Sequence, residues 1–275
     1  MHETVSSAAM ICMAISCLIG FAIPIALGFY FALRKHADVL PFFVGCIVFV
    51  LFALVLERIL HSIVLDSSAG AAIQGSTWLS ALYGGLAAGV FEETGRYLAI
   101  RFALRRYQGK DVNALMYGAG HGGIEAALLL GLTMISNLAL AAVINTGRTE
   151  LVTAQLSGSD LTQIQASFAA LAQTPAWTFL LGAAERISAV ILQMALSVLV
   201  WFSVKRRRVL LFVLAIVLHA LVDGASVILA SRISSYVLLE ALILVMSLIA
   251  AGAARIVWKY DKKKRELAHR RGTGA

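Results

Sequence analysis

Charge is scarce in this chain. Lys, Arg, Asp and Glu make up 14% of its 275 residues, against 60% hydrophobic, and the mean hydropathy is +0.86. About a quarter of an ordinary soluble domain is charged, so a soluble enzyme is a poor reading. Proline is scarce too, with three residues, so long apolar runs pass without breakers. Cys12, Cys17 and Cys46 all fall in the first two apolar runs and no CxxC pair occurs. That speaks against both a disulfide framework and a zinc–thiolate site. No lysine precedes Trp258 in the last apolar run, which removes the Schiff base of a retinal-type receptor. No basic start precedes the first run, and it outlasts a signal-peptide core, so it reads as a retained helix. No linker divides the chain, so residues 1–275 read as one domain.

What is present is a series of runs of about 20 apolar residues, the length that crosses a bilayer as a helix. Seven are expected, at 8–33, 39–65, 78–103, 112–144, 175–204, 209–230 and 236–258. The expected fold is all-α, a polytopic membrane helix bundle. All but five of the 23 Lys and Arg residues gather at alternate ends of these runs, the five being Arg58, Arg96, Arg148, Arg186 and Arg232. Short cytoplasmic loops collect positive charge. The bias predicts seven transmembrane helices with the amino terminus outside and the carboxyl terminus cytoplasmic, in a bacterial cytoplasmic membrane.

The net charge of +8 belongs to membrane edges and not to a nucleic-acid surface, because no exposed basic face with interleaved aromatics is present. The basic tail, 259–275, is expected to meet anionic lipid headgroups, each cation contributing about 1 kcal/mol. Between the fourth and fifth runs lies a polar stretch, 145–174. Leu161, Ile164, Phe168 and Leu171 fall there at helical spacing, so it reads as an outer loop with one short helix, or as an amphipathic helix.

Inside the apolar runs sit ionisable groups, which cost at least a few kcal/mol each in hydrocarbon and so mark interior functional positions. Glu92, Glu93 and Arg96 occupy the third run; Tyr117, His121 and Glu125 the fourth; His219 and Asp223 the sixth. At 1.5 Å per residue, Glu93 lies about 12 Å from the inner end of its run, and His121 and His219 each about 15 Å from theirs. Three helices thus present these groups at one depth. Tyr117, His121 and Glu125 share a face, as do His219 and Asp223.

Two schemes use such a set, and both end in hydrolysis. In one, a glutamate in a water-poor pocket is the general base, a histidine holds the same water, and a second histidine oriented by Asp223 donates to the oxyanion. In the other, His121, His219 and Glu93 hold zinc with water in the open position. The cofactor is then none or zinc. Alone, each group has a plainer role: an intrahelical ion pair around Arg96, or a polar residue packed where glycines flank it.

At these residues the chain resembles a known family. FEETGR at 91–96, YGAGHGGIE at 117–125 and HALVD at 219–223 are similar to the motifs of the YhfC-type membrane peptidases, in the superfamily of type II CAAX prenyl endopeptidases and bacteriocin-processing proteases. That superfamily has a glutamate pair followed by arginine, an aromatic residue four before a histidine, and a histidine four before asparagine or aspartate. The CAAX branch places three residues between the glutamate pair and the arginine. Here Thr94 and Gly95 make two, which fits the YhfC-type branch. The resemblance, over roughly 80–225, implies that Glu92 activates water with His121 while His219 and Asp223 form the oxyanion side. The shorter spacing also allows Glu92 to be the ion-pair partner of Arg96, leaving Glu93 as the base.

Glu57, Arg58, His61, Glu185 and Arg186 form a second expected polar cluster nearer the outer surface, which positions helices or lines a vestibule. The reading is an intramembrane peptidase acting on a membrane-embedded or membrane-adjacent peptide, with membrane lipid as its surroundings. The alternatives are an ion- or proton-coupled transporter and a non-catalytic scaffold of the same fold. Substrate identity and oligomeric state stay open. Gly85 and Gly89 form a small-xxx-small pair suited to close packing within the bundle or between chains.

Overall fold

The computed structural model describes residues 4–272, and every regular element among them is helical. Helix α1 spans Ser7–Arg34 and α2 Leu40–Leu65. The short α3, Ser68–Gln74, turns the chain into α4, Thr77–Leu98, which a π-helical turn, Ala99–Ala103, prolongs. Then come α5, Val112–Asn145, the small α6, Glu150–Thr153, and α7, Gly158–Gln173. Helices α8, Thr178–Arg206, α9, Val209–Arg232, and α10, Tyr236–Gly272, complete the chain.

Local chemistry sets several of these limits. Ser6 Oγ accepts from Ala9 N at 3.1 Å and caps α1, and Ser76 Oγ accepts from Leu79 N at 3.4 Å to cap α4. Pro41 sits in the first turn of α2, where its missing N–H costs nothing. Six helices, α1, α2, α5, α8, α9 and α10, are long and apolar enough to cross a membrane. Helix α4 has the length but carries Glu92, Glu93 and Arg96, and it falls outside that set.

Helix α8 is the axis of the bundle. In its most apolar stretch 72% of residues are buried, against 17% in α1. It packs on α5, α9, α10 and α1, while α4 lies along α9 and α2 along α5. The Gly85 and Gly89 pair is spent inside the bundle: a Cβ at Gly85 would lie 2.4 Å from Ala220 O on α9. Close backbone approach replaces the hydrophobic effect as the packing force in lipid. One apolar core gathers Leu196, Leu199, Trp201 and Phe202 of α8 with Ile100 and Leu104; a second, at the opposite end, joins Met13, Leu130, Met134, Phe168 and Leu171. Leu18, Ile47, Ile63, Leu82, Leu221 and Ile249 point outward as an exposed apolar surface, as a lipid-facing bundle requires.

Two segments add detail to the sequence expectation. The stretch 145–174 holds two helices, and α7 is amphipathic, burying Phe168 and Leu171 against the second core. The basic tail is a continuation of α10 as far as Gly272, with residues 273–275 outside the described set. Asp261 fixes it to the body, accepting from Arg206 of α8, while Arg265 pairs with Asp111 at 2.5 Å.

Candidate active site

Glycines build the wall around His121. An added Cβ at Gly120 would sit 1.9 Å from Phe42 O of α2, and one at Gly123 would sit 2.7 Å from the Pro24 ring of α1. The run at 118–123 therefore lets α1, α2 and α8 close directly onto the backbone of α5, with His121 fully buried at the centre. Tyr117 stacks on its ring at 5.9 Å and Phe49 meets it edge-on at 5.3 Å. Those contacts fix the ring plane. The Nδ1 atom has no hydrogen-bond partner, which assigns the proton to Nε2, from where it donates to Glu92 Oε2 at 2.9 Å.

The two adjacent glutamates have different partners. Glu93 takes both of its contacts with Arg96 from one guanidinium nitrogen, Nη1, at 2.9 and 3.0 Å, and accepts from His219 Nδ1 at 2.8 Å. Glu92 is held instead by His121 and by Gln193 Nε2, at 2.9 Å each, both on Oε2. The Arg96 ion pair is thus made with Glu93, one turn back at i,i+3, and not with Glu92. Glu92 Oε1 makes no hydrogen bond to a described residue.

Gln193 joins the halves of the network, and sequence reasoning passed over it. Its Nε2 donates to Glu92 and, at 3.0 Å, to Glu125 Oε2, while its Oε1 accepts from Arg96 Nη2. Glu125 continues the chain to Arg186 at 2.7 Å, which also pairs with Glu185. The signal was there: Gln193 is the only amide in the apolar run between Arg186 and Lys205. A carboxamide in a membrane helix seeks an interhelical partner.

Glu57, His61, Glu185 and Arg186 of the expected second cluster line the same cavity as Glu92 and His219. A cavity of about 390 Å³ is walled by Glu92, His219 and Asp223 and, further out, by Glu57, His61 and Arg186. Glu57 pairs with His61 at 3.2 Å, and His61 Nδ1 meets Tyr83 OH at 2.9 Å. Glu57 stands at the end of a π-helical stretch, Val50–Glu57, whose extra residue per turn swings the following face. Glu57 and Glu185 border one hollow from opposite helices. Arg58 is exposed and is not brought to it. Asp223 Oδ2 stands 3.5 Å from His219 Nε2, an ion-pair distance beyond good hydrogen bonding.

The fold and this buried polar network together define a polytopic helical membrane protein with ionisable groups gathered in its interior. The YhfC intramembrane metalloprotease family matches residues 19–244, and the chain belongs to that family. The membrane protein YhfC of Bacillus subtilis (strain 168) is 39% identical over 253 residues, covering 90% of this chain and 94% of that one. No solved structure matches the chain.

The family description names a metal. Zinc in a catalytic site takes three imidazole or carboxylate ligands around an open position. Of the expected set, Glu93 is occupied by Arg96 and His219, and His121 turns its unpartnered Nδ1 away from Glu92. Among the described residues no three His, Cys, Asp or Glu side chains converge on one ion, so the residues in this arrangement do not fit the metal.

Proposed function

We propose that this protein is an intramembrane peptidase in which Glu92 is the general base. The observation that carries the reading is the asymmetry of Glu92. Its Oε2 is fixed by His121 and Gln193, while its Oε1 is free beside a half-open cavity. A carboxylate so oriented takes a proton from a cavity water as the hydroxyl adds to the peptide carbonyl carbon. His219, aligned by Glu93 through Nδ1 and faced by Asp223, supports the oxyanion at the opposite wall. The proton on Glu92 then passes to the departing amine nitrogen, which completes hydrolysis. Glu93 has a different duty: it neutralises Arg96 and holds His219.

The same reading takes α4 as a seventh spanning helix, with the amino terminus outside, and takes a membrane-embedded or membrane-adjacent peptide as substrate. The order of the three motifs along the chain supports kinship with the CAAX-type superfamily.

The test is cleavage of a membrane peptide library by purified protein in nanodiscs. Glu92→Gln, His121→Ala and His219→Ala are each expected to lower cleavage by about 10²–10⁴-fold while circular dichroism stays native. Ion flux in liposomes without cleavage, or a wild type that only co-purifies a partner, overturns the peptidase reading. Metal analysis accompanies the assay. Activity that persists in protein stripped of zinc supports Glu92 and His121 as the activating pair, and loss restored by one equivalent of zinc overturns that mechanism.

A further inference from the structure

At the basic end of the bundle lies a second, larger cavity of about 760 Å³, remote from the peptidase network and built by other residues. Arg101 and Arg105, at the end of α4, face Lys205 and Arg207, at the junction of α8 and α9, and no Asp or Glu lines it. Lys205 has a counter-charge in Asp111, while Arg101, Arg105 and Arg207 have no carboxylate partner among the described residues and repel one another unless an anion joins them.

Two further features point to that anion. Ser203, only 1% exposed, lines the cavity, and its Oγ has no hydrogen-bond partner. Helix α9 begins at the cavity wall with Val209, and its N-cap, Arg208, makes no side-chain cap; the Leu211 N–H is taken by Arg208 O, which leaves the first two N–H groups of the helix for an acceptor. Arg207 adopts a left-handed backbone, φ 52°, as the residue that closes the carboxyl end of α8. The cations are also aimed. Arg101 Nη1 donates to Tyr97 OH at 2.8 Å, and Lys205 is steadied by Asp111 at 2.5 Å. The side chains of Arg105 and Arg207 have no partner among the described residues. At the rim, Phe102 and Val209 are 69% and 65% exposed, an apolar border beside the charge.

We propose that this cavity holds a phosphate-bearing anion, supplied by the headgroup of an acidic phospholipid whose acyl chains lie against Phe102 and Val209. Phosphate satisfies the guanidinium groups, the serine hydroxyl and the helix terminus together, and basic pockets between membrane helices are built for such headgroups. The apolar border favours a lipid over a free phosphate.

The experiment is native mass spectrometry of the full chain, titrated with phosphatidylglycerol or phosphatidylcholine in a neutral detergent. The wild type is expected to retain phosphatidylglycerol about tenfold more tightly. The triple variant Arg101→Gln, Arg105→Gln, Arg207→Gly loses that preference; glycine keeps the left-handed backbone without strain. A control variant, Lys259→Gln, Lys262→Gln, Lys263→Gln, removes equal charge from the exposed tail and keeps it. Equal retention of the two lipids overturns the proposal, as does an equal loss of preference in the tail variant. Pyrophosphate binding that depends on the three arginines, with no preference between lipids, overturns the lipid source. If the triple variant does not fold, competition of pyrophosphate against bound phosphatidylglycerol on the wild type decides: displacement supports a shared phosphate seat, and none overturns it.

Discussion

The polar interior has a sealed half and an open half. In the sealed half, Glu93, Arg96 and His121 are fully buried and Gln193 is 3% exposed, and almost every charge has a charge-assisted partner. In the open half, the side chains of Asp223 and Glu185 are 40% and 41% exposed and that of His61 is 33% exposed. Glu92 stands on the border, with one oxygen in each. The difference teaches a division of labour. Desolvated charges cost several kcal/mol each unless paired, so the sealed half is committed to holding geometry. The open half can meet water and substrate because its pairs, Glu57 with His61 and Glu185 with Arg186, keep part of their hydration.

The contrast can be broken most severely at Arg96. Arg96→Met leaves Glu93 buried without its counter-charge, and the expected loss is about 3–5 kcal/mol, read from denaturant unfolding in micelles. Glu92→Gln tests the border. Cleavage is expected to fall by about 10²–10⁴-fold, with the unfolding midpoint little changed because the amide keeps both size and an acceptor. Gln193→Leu removes a partner from Glu92, Glu125 and Arg96 together. A loss of about 1–3 kcal/mol is expected in the same unfolding assay. His61→Ala probes the open half, where a wetted pair is worth less than about 1 kcal/mol, and its larger effect is expected in KM.

A solvent-exposed pair between the α1–α2 and α4–α5 connections gives the reference at the small end. Lys110, 2.7 Å away, and Asn113 hold the Asp38 carboxyl below its ordinary value of 3.8. A depressed carboxylate stabilises the fold above its unfolded pKa, and that stability is lost as pH falls through the folded value. Asp38→Asn should therefore flatten the acid limb of a stability profile by less than about 1 kcal/mol, measured below pH 4.

Much of this was legible in the sequence because hydrocarbon makes charge conspicuous. Glu92, Glu93, His121 and His219 stand out from apolar surroundings, and helix rise alone puts Glu93, His121 and His219 at one expected depth. The division of roles between Glu92 and Glu93 was not legible. Arg96 lies within reach of both, at i+4 and i+3, and only the rotation of α4 against α9 decides which one it meets. Gln193 was missed because a neutral amide raises no charge signal. The outer cluster read as separate because Glu125 and Arg186 are remote in the chain, and the contact joining them depends on how α5 packs on α8. The helicity of the tail lay hidden beneath its charge, since a hydropathy window ends where lysines begin.

The last helix reaches from the cavity wall far beyond the apolar surface. Its 37 residues form a rod about 55 Å long. Ser247 faces the hollow from this rod, while Asp261 and Arg265 clamp it where the basic residues start. The ion pairs at Asp261 and Arg265 therefore tie the charged half of this helix to the bundle, so that one rigid rod links the basic surface to the wall of the hollow.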